Sequence, residues 1–156
     1  MKKEYNLILN GVGGQGLLTL SRLIAFLAKE KGFDVKSSEI HGLSQRGGSV
    51  EVHLRFSKSK VFSPLILPER ADFVFSLEAQ EALNALYYAN PQTIFLVEDY
   101  FVPTFDKTFK KDEIEKKLKR KSRNIFWTNG VKILREHGLS DTFLNVYFLG
   151  KVISLR

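Results

Sequence analysis

Strand-like apolar runs alternate with helix-period segments along the whole chain, and a glycine-rich turn stands between the first run and the first helix. These observations predict an α/β protein: a three-layer α/β/α sandwich around a mainly parallel sheet, with room for a mixed one. The 156 residues make one ordinary domain, long enough to bury a core, and no internal repeat or linker divides them.

Residues 5 to 10 read as the first strand. Leu17, Leu20, Ile24, Leu27 and Ala28 then mark one face of a helix from about 16 to 31. Leu18, Leu23, Ala25 and Phe26 extend its apolar surface, so the helix is expected to be largely buried, with Gly32 ending it. Phe33 to Ile40 reads as a second strand. Ser49 to Phe56 is a third, with Val50, Val52, Leu54 and Phe56 on one side and Ser49, Glu51, His53 and Arg55 on the other, a pattern expected of a strand with one wet face. Next come a strand at Asp72 to Leu77, a helix at about 78 to 89 and a buried strand Thr93 to Val97. A basic helix, a short strand Asn124 to Trp127, a helix near 129 to 137 and a last helix capped by Asp141 complete the chain.

Composition narrows the classes of function. Apolar residues make up 44% and charged residues 26%, the usage of a soluble globular protein. The apolar runs fall short of the roughly 20 residues that span a bilayer. The start MKKEYNLIL leads straight into glycines without a cleavage pattern and reads as a strand, so a cytoplasmic location is expected. There is no cysteine, which excludes disulfides, a cysteine nucleophile and thiolate-ligated clusters held by this chain.

The formal charge is +7, and the segment from Lys107 to Arg123 alone carries +6. Its acids come first, with Asp112 and Lys116, Glu113 and Lys117, and Glu115 and Lys119 at i,i+4 spacing, and Ile114 and Leu118 form a narrow apolar line. A solvated surface helix is the first reading and the docking of an acidic protein the second. No nucleic-acid motif is present, and neither nucleic acid nor membrane is expected as a partner.

The glycines of GVGGQG, Gly11 to Gly16, spell G-x-G-x-x-G between strand and helix, the arrangement that seats a pyrophosphate on a helix N-terminus. Glu39, near the end of the second strand, occupies the place of a ribose-binding acid. A tight turn with close strand–helix packing explains the glycines equally well. The stretch EIHGLSQRGGSV, Glu39 to Val50, then sets a carboxylate, an imidazole, an amide and a guanidinium in a glycine-punctuated loop. A dinucleotide domain has no use for such a loop, so the expectation is Rossmann-like but not dinucleotide-binding. Adjacent, parallel first and second strands would bring both glycine loops to one edge of the sheet.

GVGGQG followed by E-x-H-G-x-x-Q-R-G-G-S resembles the gamma subunit or gamma domain of the 2-oxoacid:ferredoxin oxidoreductases. Ser63 to Ile66 (SPLI), Ala71 and Asp72, Leu77 to Leu83 (LEAQEAL) and Asn145 to Gly150 (N-x-x-x-L-G) extend the resemblance over the whole chain. Within the family it is strongest to the beta subunit of indolepyruvate:ferredoxin oxidoreductase. Residues 1–156 would form a single gamma-type domain, shorter at the C-terminus than the family and more basic around 107 to 123. The resemblance implies a non-cluster subunit of a 2-oxoacid oxidoreductase, acting on indolepyruvate, another aryl-pyruvate or pyruvate, that covers or positions the thiamine diphosphate and coenzyme A site. Thiamine diphosphate, coenzyme A and [4Fe-4S] clusters are expected in the complex and none tightly bound by this chain. The implied partners are larger thiamine- and iron–sulfur-containing subunits and, indirectly, ferredoxin, with self-association open to the isolated chain. A stand-alone nucleotide-binding protein is the alternative, and a scaffold or regulator a third class.

The expected cofactor-facing residues are Gly11, Gly13, Gly14, Gln15, Gly16, Glu39, His41, Gln45, Arg46, Gly47 and Gly48, with no catalytic and no metal-binding residue. The first loop would offer backbone N–H groups to an anion such as a coenzyme A phosphate. Arg46 would clamp a phosphate or carboxylate, or pair with Glu39 to brace the loop. His41 would hydrogen-bond near the cofactor or fix the loop. His53 is expected at the surface, and Glu78 at the start of a helix, stabilised by its dipole.

Overall fold

The computed structural model describes residues 4–42, 48–103 and 109–154. Six strands form one sheet: β1 (Glu4–Val12), β2 (Asp34–His41), β3 (Ser49–Ser57), β4 (Phe73–Ser76), β5 (Ile94–Glu98) and β6 (Ile125–Thr128). Their order is β2-β3-β1-β4-β5-β6. β1, β4, β5 and β6 run parallel, while β3 is antiparallel to both β1 and β2, so the sheet is mixed.

The first two strands are therefore not adjacent, because β3 lies between them. Both are antiparallel to β3, which leaves them pointing the same way, and their carboxyl ends still emerge on one edge. β3 can pair on both sides because the backbone N–H and C=O groups of a strand point to both of its edges.

Helices cover the two faces separately. α1 (Leu17–Glu30), α3 (Gly130–Glu136) and α4 (Leu144–Ser154) close over Leu7, Leu9, Val52 and Leu54 with Leu20, Leu134, Leu144 and Phe148. A 3₁₀ helix, Glu81–Tyr87, and α2 (Lys111–Leu118) close the opposite face over Ile8, Val74, Phe95 and Val97. Burying each of these larger side chains contributes about 2 kcal/mol.

Several elements differ from what the pattern predicts. The helix expected at 78 to 89 is a shorter 3₁₀ helix, Glu81–Tyr87, whose buried residues Ala82 and Ala85 stand three apart. That spacing fits three residues per turn, and small side chains permit the close approach to the sheet. α1 buries Leu17, Leu20, Ser21, Ile24 and Ala28 but leaves Phe26 60% and Leu27 42% exposed, so it is not largely buried. Ser140, not Asp141, caps the last helical segment: its hydroxyl accepts from Thr142 N, ahead of a 3₁₀ turn Asp141–Phe143. Asp141 instead receives Arg135 through Nε at 3.0 Å and Nη2 at 2.5 Å.

β3 has no wet face. His53 is 2% exposed, because the irregular segment after β3 lies over it. Ile66 N–H donates to His53 Nδ1 at 3.0 Å, leaving the proton on Nε2, which faces Glu51 Oε1 at 3.0 Å. Tyr88 packs edge-on against the imidazole, and burial together with the Glu51 carboxylate pushes its phenol up to about 12. Among the described residues no helix is long and apolar enough to cross a membrane.

Candidate functional site

The first glycine loop leaves β1 at the centre of the sheet. β1 leads to α1 on one face, whereas its parallel neighbour β4 leads to the 3₁₀ helix on the other. The carboxyl ends of β1 and β4 thus flank a switch point, where open α/β sheets form a crevice.

Backbone geometry explains three of the loop's glycines. Gly14 and Gly16 have φ of 102° and 75°, left-handed values that favour glycine. A Cβ on Gly11 would sit 2.5 Å from Gln15 Oε1. Gln15 itself is used structurally: its Oε1 accepts from Val12 N and its Nε2 donates to Leu77 O, both at 2.8 Å. The amide stitches the ends of β1 and β4 together.

The second glycine loop meets the first directly. Gly13 N–H donates to Gly48 O at 2.9 Å, and Gly42 N–H to Ser49 O at 2.8 Å closes the base of the β2–β3 connection. Gln45, Arg46 and Gly47 lie outside the described residues, and the Glu39–Arg46 pairing with them.

A cavity of about 370 Å³ opens beside this contact, lined by Val12, Gly13, Gly14, Gly16, Leu17, Leu18, Thr19, His41 and Val50. Gly16 is the N-cap of α1, no side chain caps it, and the first turn carries no acid. The first-turn N–H groups of a helix lack intrahelical partners, so the cavity is lined by the uncompensated positive end of a 14-residue helix and by an exposed imidazole. Glu39 is exposed on the same face of β2 as His41 but does not line the cavity. With β3 inserted, it is also about 10 Å, two strand spacings, from β1. This separates the glycine turn from the acid that a dinucleotide site requires beside it.

Sequence reasoning missed several neighbours. Thr19, in the first helical turn, was legible from its position after the glycines. Asn145 was not: it comes from α4, is 7% exposed, and a Cβ on Gly16 would lie 2.6 Å from its Nδ2. Behind the loop, Ser49 Oγ donates to Glu81 Oε2 at 2.5 Å and Asn10 Nδ2 to Glu81 O at 2.8 Å. Glu78 accepts from Glu81 N at 2.9 Å and from Val102 N at 3.2 Å. It thus caps the 3₁₀ helix, and burial raises its carboxyl above the ordinary range. Among the described residues no group of His, Asp or Glu has the arrangement of a metal site.

Comparison with known proteins gives a consistent picture. The family model described as pyruvate ferredoxin/flavodoxin oxidoreductase matches residues 6–155. The indolepyruvate oxidoreductase subunit IorB of Thermococcus kodakarensis is 42% identical over 86 residues, 55% of this chain and 42% of that protein. IorB of Archaeoglobus fulgidus is 44% identical over 94 residues, 60% of this chain and 46% of that protein. The chain thus spans less than half the length of these two curated relatives. Among solved structures, the 2-oxoglutarate:ferredoxin oxidoreductase of Magnetococcus marinus superposes with a TM-score of 0.71 at 18% identity, over 96% of this chain and 24% of that one. The gamma subunit of a keto/oxoacid ferredoxin oxidoreductase from Geobacter sulfurreducens gives 0.68 at 17% identity, over 97% of this chain and 76% of that one. At these identities the structures show the shared fold.

Proposed function

Because the chain belongs to the pyruvate ferredoxin/flavodoxin oxidoreductase family, we propose that it is a subunit of a 2-oxoacid:ferredoxin oxidoreductase whose substrate is an aryl-pyruvate such as indolepyruvate. Its relatives named as indolepyruvate oxidoreductase subunits support that choice of substrate. In this reading the glycine-loop edge faces a larger subunit, and α1 helps to hold coenzyme A through a phosphate.

The observation that carries the assignment is the uncapped N-terminus of α1 opening on the cavity beside His41. Free backbone N–H groups and the helix dipole stabilise an anion there, and Gly14, whose Cβ would meet nothing within 4 Å, leaves the approach open. The chain's lack of cysteine leaves thiolate-held clusters to the partner, and the oxidative chemistry with them. Coenzyme A would supply the acceptor thiol; this chain's contribution is to bind and orient it and to cover the site.

The test is Thr19→Glu in the complex reconstituted with the thiamine-dependent partner subunit, with Thr19→Gln as the isostere. A carboxylate in the first turn favours the helix but repels a bound phosphate. We expect KM for coenzyme A to rise about tenfold in Thr19→Glu alone, with assembly and thermal stability retained. An unchanged KM would remove α1 from coenzyme binding, and failure to capture a thiamine-dependent partner would remove the subunit assignment itself.

A further inference from the structure

Nearly all of the formal charge is concentrated in one segment, +6 of +7 in residues 107–123. Two of the three acids of α2 are committed locally: Glu113 Oε2 accepts from Lys110 N at 2.9 Å, and Glu115 pairs with Lys119 at 2.5 Å, while Asp112 lies in the first turn, away from the helix exit. Of the three predicted i,i+4 pairs, that of Glu115 with Lys119 is the one that forms. Past Glu115 come Lys116, Lys117, Lys119, Arg120, Lys121 and Arg123 with no acid among them. Ile114 and Leu118 are fully buried, which fixes α2; Lys116 and Lys117 lie in its last turn and the other four cations in the short segment that follows.

The exit of α2 reaches the edge of the sheet where β4, β5 and β6 begin, opposite the glycine loops. Lys121 Nζ pairs with Glu69 at 2.8 Å, and Asn124 Nδ2 donates to Gln92 O at 3.4 Å. Glu69 and Gln92 line a second cavity, of about 640 Å³, with Glu4, Arg55, Arg70 and Asp72. The cation row and this cavity are therefore one continuous surface.

Within the cavity the acids are engaged: Glu4 with Arg55 at 2.5 Å, Glu69 with Lys121, and Asp72 Oδ2 with Asn6 N at 2.9 Å. Arg55 is held by Asn6 and by the carbonyls of Ser63 and Leu65, so it forms the wall. Arg70 is exposed on the rim. It follows Glu69, whose φ of 59° costs about 1 kcal/mol in a residue with a side chain and is held by Asn90 Nδ2 donating to Glu69 O at 2.9 Å. Strain of this kind persists where the surroundings over-determine it, and here it sets Glu69 and Arg70 on the rim.

We propose that this edge docks an acidic protein surface, with the C-terminal end of α2 meeting its carboxylates and one acidic side chain entering the cavity toward Arg70. The cations are confined to the last turn of α2 and the short segment after it, beside a cavity lined by the engaged carboxylates Glu4, Glu69 and Asp72. Discrete carboxylates on a folded partner fit that arrangement, whereas a continuous phosphate track would be driven against those acids. The proposal stands apart from the coenzyme reading, because the two surfaces lie at opposite edges of the sheet.

The experiment titrates the full chain with poly-L-glutamate, and in separate arms with duplex DNA of equal charge and with phosphatidylserine vesicles, at several ionic strengths. We expect poly-L-glutamate to bind more tightly than DNA or vesicles. The double variant Arg120→Glu/Arg123→Glu should weaken it about tenfold and flatten its salt dependence, and Arg70→Ala should weaken it about threefold. Lys132→Glu/Lys151→Glu, an equal charge change on α3 and α4, should leave binding within about twofold, and circular dichroism should show all variants folded. Equal loss in the control variant, no loss in the Arg120/Arg123 variant, or tighter binding of DNA or vesicles would each overturn the proposal.

Discussion

Gly14 and Gly16 share a left-handed backbone but stand in different surroundings. An added Cβ at Gly14 meets nothing within 4 Å, whereas at Gly16 it strikes Asn145. Gly14→Ala should therefore cost only backbone strain, about 1–2 kcal/mol. Gly16→Ala adds overpacking and should cost about 2–4 kcal/mol. Thermal or chemical denaturation of the two variants reads the difference. Combining Gly16→Ala with Asn145→Ala should recover part of the loss, since the two residues are coupled; strict additivity would show that Asn145 does not set the clash. The glycine requirement was legible in GVGGQG, but the partner that enforces it comes from the far end of the chain: Asn145 opens the N-x-x-x-L-G stretch, and nothing in that pattern places it against the glycine loop. His53 teaches the same lesson. Alternation placed it correctly opposite Val52 and Leu54, yet alternation reports only which face a side chain takes, not whether a later loop covers that face.

At the scale of elements, α3 owes its start to a distant carboxylate. Its N-cap Asn129 makes no side-chain cap. Glu98, fully buried at the end of β5, instead accepts from Gly130 N at 2.9 Å and Val131 N at 2.8 Å, and from the Thr128 hydroxyl. Burial still holds this carboxyl above its ordinary 4.5, outweighing the three donors. A carboxyl with a higher pKa folded than unfolded binds its proton more tightly in the native state. Its contribution to stability is full below about 4.5 and is lost as pH rises through the folded value. Glu78 acts in the same direction, while Glu69, Glu115 and Asp141 are lowered by their cation partners and, being exposed or nearly so, act weakly and at lower pH. Denaturant midpoints should fall as pH rises out of the acid range. Glu98→Gln should flatten that slope while costing about 1–3 kcal/mol through a backbone N–H left without its acceptor. An unchanged slope would show that Glu98 is not the group responsible. Alternation and apolar period revealed the six strands and the helical segments; the 3₁₀ geometry at Ala82 and Ala85 was hidden because a three-residue spacing over so short a run also fits an α-helix.

For the whole molecule, the placement of β3 governs more than the site. β2 and β3 are joined through a short connection and pair antiparallel, and β3 then pairs along the full length of β1. The β2–β3 pair is the most local in the sheet, tightening to His41 with Val50, whereas β1 meets β3 and β4 only across long stretches of chain, Leu7 with Leu54 and with Phe73, and pairing of that kind forms slowly because loop closure must precede it. Pulse-labelled hydrogen exchange during refolding should therefore find the amides bonded between β2 and β3 protected before those bonded between β1 and β4; protection of the β1–β4 pair first would contradict this. The inserted strand thus acts on time as well as space: the base of the second glycine loop, closed by Gly42 and Ser49, comes with the β2–β3 hairpin, and its bond to the first loop through Gly13 and Gly48 waits until β1 has docked along β3.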